Sequence, residues 1–245
     1  MTESFILNST ILGEEREIYI HLPEDYQESG EIYPVMYLLD GHSLFNVVAS
    51  YVQKYSTRGR IPPLIVVGIA STDRSRDFTP TERGGMSGRP RSGGGADKFL
   101  SFLSDELFPM VEEKYPTRDY RLLVGHSLGG LFTVYAFATQ PDLFRAYMAL
   151  SPWFGEEDDD LLSKVDSYLE GGVSPLNVFY TAHEPISRPG IENRIGRLID
   201  MLKKHTQEGL QWDYRRVEGA DHSNLPLKVI PDALEFIFPG IVQDR

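Results

Sequence analysis

The chain has 245 residues, 41% hydrophobic and 24% charged, a length and composition that can bury a sizeable core. It contains no cysteine, which excludes a disulfide framework, a thiolate nucleophile and any metal site built on thiolate. With 36 Asp and Glu against 24 Lys and Arg, the net charge of −12 repels polyanions and argues against a nucleic-acid partner.

The opening Met-Thr-Glu-Ser lacks the basic start and apolar run of a signal peptide. No apolar stretch approaches the ~18 residues of a membrane span. A soluble cytoplasmic protein with no membrane partner is expected. Arg16–Leu22 alternates, with Ile18 and Ile20 on one face, and reads as a strand near a sheet edge. Tyr33–Leu39 and Leu64–Ala70 are short, nearly continuous apolar runs, as strands covered on both faces require. Ser71–Arg83 carries Arg74, Arg76 and Arg83, and Gly84–Gly95 is a flexible loop by composition, giving a Gly/Arg-rich insertion over 71–95. Lys98–Lys114 repeats apolar residues at helical steps. The run Arg121–Val124 is a further strand, and Leu128–Ala138, apolar nearly all round, is a buried helix. Ala146–Leu150 and Leu176–Thr181 read as strands. The acidic run Glu156–Asp160 between them suits a solvated helix start. Ile191–Lys204 is an amphipathic helix, Gln211–Val217 a last strand and Pro226–Phe238 a closing helix. Strands alternating with helices predict an α/β fold over 1–245, with a mostly parallel central sheet and helices on both faces.

Gly125-His126-Ser127-Leu128-Gly129 is a G-x-S-x-G. The pattern alone is weak, but here it follows an apolar strand and opens an apolar helix, the context of a nucleophile elbow. Gly41-His42-Ser43-Leu44 copies its first four residues, yet Phe45 stands where the second glycine belongs. Serine at neutral pH needs a base. In such a fold the chain order is serine, acid, histidine, with the base after the last strand, so His222 is the expected base. The expected acid is Glu184, after the Leu176–Thr181 strand, with Asp221 and the Asp158–Asp160 run as rivals. Such an acid holds the imidazole in its working tautomer. An oxyanion hole needs two backbone N–H groups. Leu128 supplies one, and His42, after the Tyr33–Leu39 strand, is expected to supply the other. Trp153 and Phe154 follow a strand end, where α/β sheets bind ligands. They are assigned to the pocket lip, the alternative being core packing.

The chain resembles the putative-esterase branch of the α/β-hydrolases, which includes enterochelin-esterase-like and esterase D-like serine hydrolases. The resemblance rests on Tyr37-Leu38-Leu39-Asp40-Gly41, Val66-Val67-Gly68-Ile69, Arg74–Pro80, Gly125–Leu131, Ser151-Pro152-Trp153-Phe154 and Gly219–His222. It implies a triad of Ser127, Glu184 and His222, an oxyanion hole of His42 and Leu128, and substrate contact through Arg76. Siderophore esterases carry R-x-L-T-P at the Arg76 segment, whereas Asp77-Phe78 forms its middle here. The implied activity is that of a serine carboxylesterase on a small-molecule ester, of siderophore type or with an aromatic or short acyl group, working through an acyl-enzyme with no cofactor and no metal. Five arginines within residues 74–91 hint at an anionic or polyphenolic ester. Mycolyltransferases share the Leu-Leu-Asp-Gly segment, so acyl transfer to an alcohol is an alternative. A non-catalytic binding protein on the same fold is another.

Overall fold

The computed structural model describes residues 1–24, 26–27, 29–84, 92–172, 177–205 and 210–239. Its main sheet has eight strands, β1 (Thr2–Ser9), β2 (Glu14–His21), β3 (Tyr33–Leu39), β4 (Ile65–Ile69), β7 (Thr117–His126), β8 (Ala146–Leu150), β9 (Asn177–His183) and β10 (Leu210–Arg216). Their spatial order is β1-β2-β4-β3-β7-β8-β9-β10. The β1–β2 and β2–β4 pairs are antiparallel, and every pair from β4 to β10 is parallel. A small antiparallel ribbon, β5 (Glu82–Arg83) with β6 (Ser92–Gly93), stands apart. It joins the ends of the Gly84–Gly95 loop, whose residues 85–91 lie outside those described.

The continuous apolar runs are explained by two cores. Val35, Tyr37 and Leu39 of β3 enter one, while Met36 and Leu38 enter the other. Helices α1 (Gly41–Thr57) and α8 (Leu225–Ile237) cover the second face. The first is covered by α3 (Ala96–Phe102), α4 (Phe108–Lys114), α5 (Leu128–Thr139), α6 (Asp159–Glu170) and α7 (Pro189–Lys204). A strand with side chains alternating into two cores has no polar face to show.

The helix expected over Lys98–Lys114 is α3 and α4 joined by a π-helical turn, Leu103–Leu107. Pro109 follows that turn and has no N–H to give to the turn before it, a local reason for the wider winding. No described helix is long and apolar enough to cross a membrane.

Arg16 points from β2 into the interior, where its side chain is fully buried. It pairs with buried Asp77 of α2 (Arg74–Phe78), donates to Glu14 at 2.5 Å and to the Ala70 carbonyl at 3.1 Å, and lies over the Phe99 ring. Removing one partner of a buried pair strands the other charge. Asp77→Ala is expected to lower stability by about 3 kcal/mol, read as a fall in the urea midpoint. A midpoint equal to wild type would show that Glu14 alone satisfies Arg16.

Candidate active site

The chain reverses sharply between β7 and α5. Ser127 sits at the turn with φ 60° and ψ −118°, a conformation costing roughly 1–3 kcal/mol for a non-glycine residue. A Cβ on Gly125 would lie 2.1 Å from the Gly129 carbonyl oxygen, and one on Gly130 would lie 2.6 Å from that of Leu150. These two glycines let the strand, the helix and the end of β8 approach one another. The Ser127 N–H donates to the Leu150 carbonyl at 2.9 Å, and its carbonyl accepts from Leu131 at 3.0 Å and Trp153 at 3.1 Å. The strained turn is thereby over-determined, and the serine hydroxyl is carried at the C-terminal edge of the sheet.

Glu184 follows β9 directly and is buried. His222 lies between β10 and α8 and presents Nδ1 to Glu184 Oε1 at 2.8 Å. Burial raises the Glu184 carboxyl, but hydrogen bonds from His222 and Ser151 outweigh it and hold the group down at about 2. Three of the four rival acids are engaged elsewhere. Asp221 folds back on its own turn, accepting from the backbone and side chains of Ser223 and Asn224 at 2.6–2.9 Å. Asp158 pairs with Arg83, and Asp159 with Arg194 and Arg197. The His222 ring rests 4.5 Å from that of His126, the residue before Ser127. Burial, with His222 beside it, pushes the His126 imidazole down to about 4, so it stands neutral against the His222 ring at neutral pH.

The other expected site residues separate. His42 lies in the first turn of α1 and Leu128 is the first residue of α5, so neither amide has a preceding helical carbonyl to bond. Asp40, in the left-handed region at φ 55°, starts α1, and its carboxylate accepts from Ser71 at 2.8 Å and from Arg74 at 2.7 and 2.9 Å. A cavity of about 580 Å³ opens beside His42, Asp40, Arg74 and His126. Arg74, not Arg76, borders it. The Arg76 guanidinium is taken up by Glu14 at 2.7 and 2.9 Å and by Asp77 at 2.7 Å. Phe154 is corrected: it is fully buried in the core and has no surface for a ligand. Trp153 is only partly buried, stands 5.7 Å from the His222 ring and carries the Arg188 guanidinium over its face at 4.8 Å. The sequence reading missed Arg74 and Ser151. Arg74 was visible in the arginine-rich segment after β4, whereas Ser151 carried no signal beyond leading Ser151–Phe154. Asp166, Glu170 and His205 could meet one cation, but Lys204 already pairs with both carboxylates.

The family model described as "Putative esterase" matches residues 9–187. Among curated proteins, the chain is 30% identical over 229 residues to the ferri-bacillibactin esterase BesA of Bacillus subtilis, covering 83% of this chain and 78% of that protein. It is 31% identical to the siderophore enterobactin esterase of Emericella nidulans over 70% of this chain and 61% of that one. Among solved structures, an IroE-like serine hydrolase from Shewanella oneidensis superposes with a TM-score of 0.90 at 31% identity, covering 97% of this chain and 80% of that one.

Proposed function

The chain belongs to the putative-esterase family and is a serine hydrolase on the α/β-hydrolase fold, and from that premise we propose that it hydrolyses carboxylic esters with Ser127 as nucleophile, His222 as base and Glu184 as orienting acid. The observation that carries the reading is the 2.8 Å contact between His222 Nδ1 and Glu184, made on a ring packed against the residue preceding the strained serine. A carboxylate accepting from Nδ1–H leaves Nε2 without a proton and ready to act as base. Ser127 Oγ attacks the ester carbonyl carbon as its proton passes to Nε2. The Leu128 and His42 amides, at two helix N-termini, stabilise the oxyanion that forms. Collapse breaks the ester C–O bond, and the leaving alkoxide takes the proton from Nε2. Water then adds to the acyl-enzyme with His222 again accepting the proton, and acid and free serine are released.

The His222 side chain is 41% exposed, which gives water access to the acyl-enzyme. The named relatives act on ferri-bacillibactin and enterobactin, and we assign this chain to siderophore-type esters with Trp153 at the pocket rim. A panel of trilactone, aromatic and short-chain esters tests the assignment. Preference for trilactones supports it; preference for short acyl chains, or faster transfer to an added alcohol than to water, overturns it.

The acid is tested separately. Glu184→Gln is expected to leave a folded enzyme and to lower kcat by up to about 10⁴-fold, with KM little changed, because the hydrogen bond strengthens as imidazolium forms. Asp221→Asn is expected to stay within a few-fold of wild type. The reverse pattern would move the acid to Asp221.

A further inference from the structure

Resting on the triad reading above, we propose that Ser151 is a positioning residue of the catalytic centre, whose hydroxyl fixes the rotamer of Glu184 and, through that carboxylate, the tautomer of His222. Ser151 follows β8 directly and is buried. Its Oγ donates to Glu184 Oε2 at 2.7 Å and lies 3.4 Å from His222 Nδ1. The two carboxylate oxygens are thus divided, Oε1 to the imidazole and Oε2 to the hydroxyl. A lone buried carboxylate oxygen is costly, so the hydroxyl holds the acid in the one orientation that aims Oε1 at the ring.

Counting protons fixes the tautomer. A hydroxyl has one hydrogen and an ionised carboxylate has none. Were Nδ1 bare, Ser151 could donate to Nδ1 or to Oε2 but not to both. Donation to Nδ1 would leave the hydroxyl oxygen facing Oε2 at 2.7 Å with no hydrogen between them. Donation to Oε2 would leave bare Nδ1 facing Oε1 at 2.8 Å. Either choice sets lone pairs against each other. With the proton on Nδ1, the two short contacts each hold a hydrogen, Oγ–H on Oε2 and Nδ1–H on Oε1, and in the neutral ring Nε2 is the bare nitrogen that a general base needs.

The backbone separates this role from a merely structural one. Ser151 has φ 45°, and its N–H donates to the Ala182 carbonyl at 2.7 Å. Glycine adopts that conformation without strain, and alanine does so with the same strain as serine. A part played by the turn alone would be served best by glycine; only the hydroxyl distinguishes serine from both.

Ser151→Ala, Ser151→Gly, Glu184→Gln and the Ser151→Ala/Glu184→Gln double variant of the full chain are assayed on 4-nitrophenyl acetate, with urea midpoints alongside. Both Ser151 variants are expected to lose about 10–100-fold in kcat at nearly constant KM, the scale of a lost hydrogen bond to a charged group. The glycine variant is expected to be at least as stable as the alanine one, and the double variant no slower than Glu184→Gln. Wild-type kcat in Ser151→Gly overturns the proposal. So does a Ser151→Ala loss that multiplies in full onto Glu184→Gln, or a loss that appears in KM. If instead Glu184→Gln itself retains wild-type kcat, the triad reading beneath the proposal has failed.

Discussion

Ser127→Ala is expected to fold and to be nearly inactive, with kcat lower by about 10⁵–10⁶-fold, the loss seen when a serine hydrolase loses its nucleophile. The substitution deletes one oxygen from a position where the backbone, not the side chain, does the structural work. The amide and carbonyl of Ser127 make the hydrogen bonds that tie the elbow to Leu150, Leu131 and Trp153, and alanine keeps all three. Alanine at φ 60° carries the same strain as serine, so the free energy of unfolding is expected to stay within about 0.5 kcal/mol of wild type. A variant that keeps a tenth of the wild-type rate, with contaminating esterase excluded by active-site titration, would remove Ser127 from the mechanism. A variant that unfolds would show that the hydroxyl carries structure as well.

His222→Ala is expected to cost nearly as much as Ser127→Ala, and the double variant no more than either alone, because nucleophile and base act as a unit. The histidine change also has a signature in stability. Glu184 ionises at about 2, below its ordinary 4.5, so its ionisation stabilises the fold. That contribution is complete above pH 4.5 and is lost as the pH falls through about 2. Removing the imidazole takes away the donor on Oε1, and the carboxyl moves back up toward its ordinary value. The acid-unfolding midpoint of His222→Ala, followed by far-ultraviolet circular dichroism, is therefore expected at higher pH than that of wild type. An unchanged acid midpoint beside a lost kcat would mean that the His222–Glu184 bond contributes to catalysis but not to stability.

The strands were legible where they are covered on both faces. Tyr33–Leu39 and Ala146–Leu150 were bounded correctly because alternate side chains enter two different cores, leaving an unbroken apolar run. β1 was missed for the opposite reason: it is an edge strand whose side chains are mostly exposed, so no buried face marks the sequence. α1 was missed although Phe45, Val48, Ala49 and Val52 hold helical spacing, because its start after Asp40 has no side-chain cap to announce it. Glu184 and His222 meet at 2.8 Å, since parallel strands deliver successive loops to one edge of the sheet. Side-chain direction at strand and helix ends was not legible. One step separates Trp153, beside His222, from Phe154 in the core, and two helical positions separate Arg74 at the cavity from Arg76 on Glu14. The contact of Ser151 with Glu184 spans 33 residues and depends on a positive φ that no local pattern announces.

In the proposed reaction, one serine at the turn between β7 and α5 is made nucleophilic by His222. Incubation with a fluorophosphonate, followed by intact-mass and peptide mapping, tests it most directly. One adduct per chain is expected, on the peptide containing Ser127, absent from Ser127→Ala and formed far more slowly by His222→Ala. An adduct on another serine, or undiminished labelling of Ser127→Ala, would contradict it.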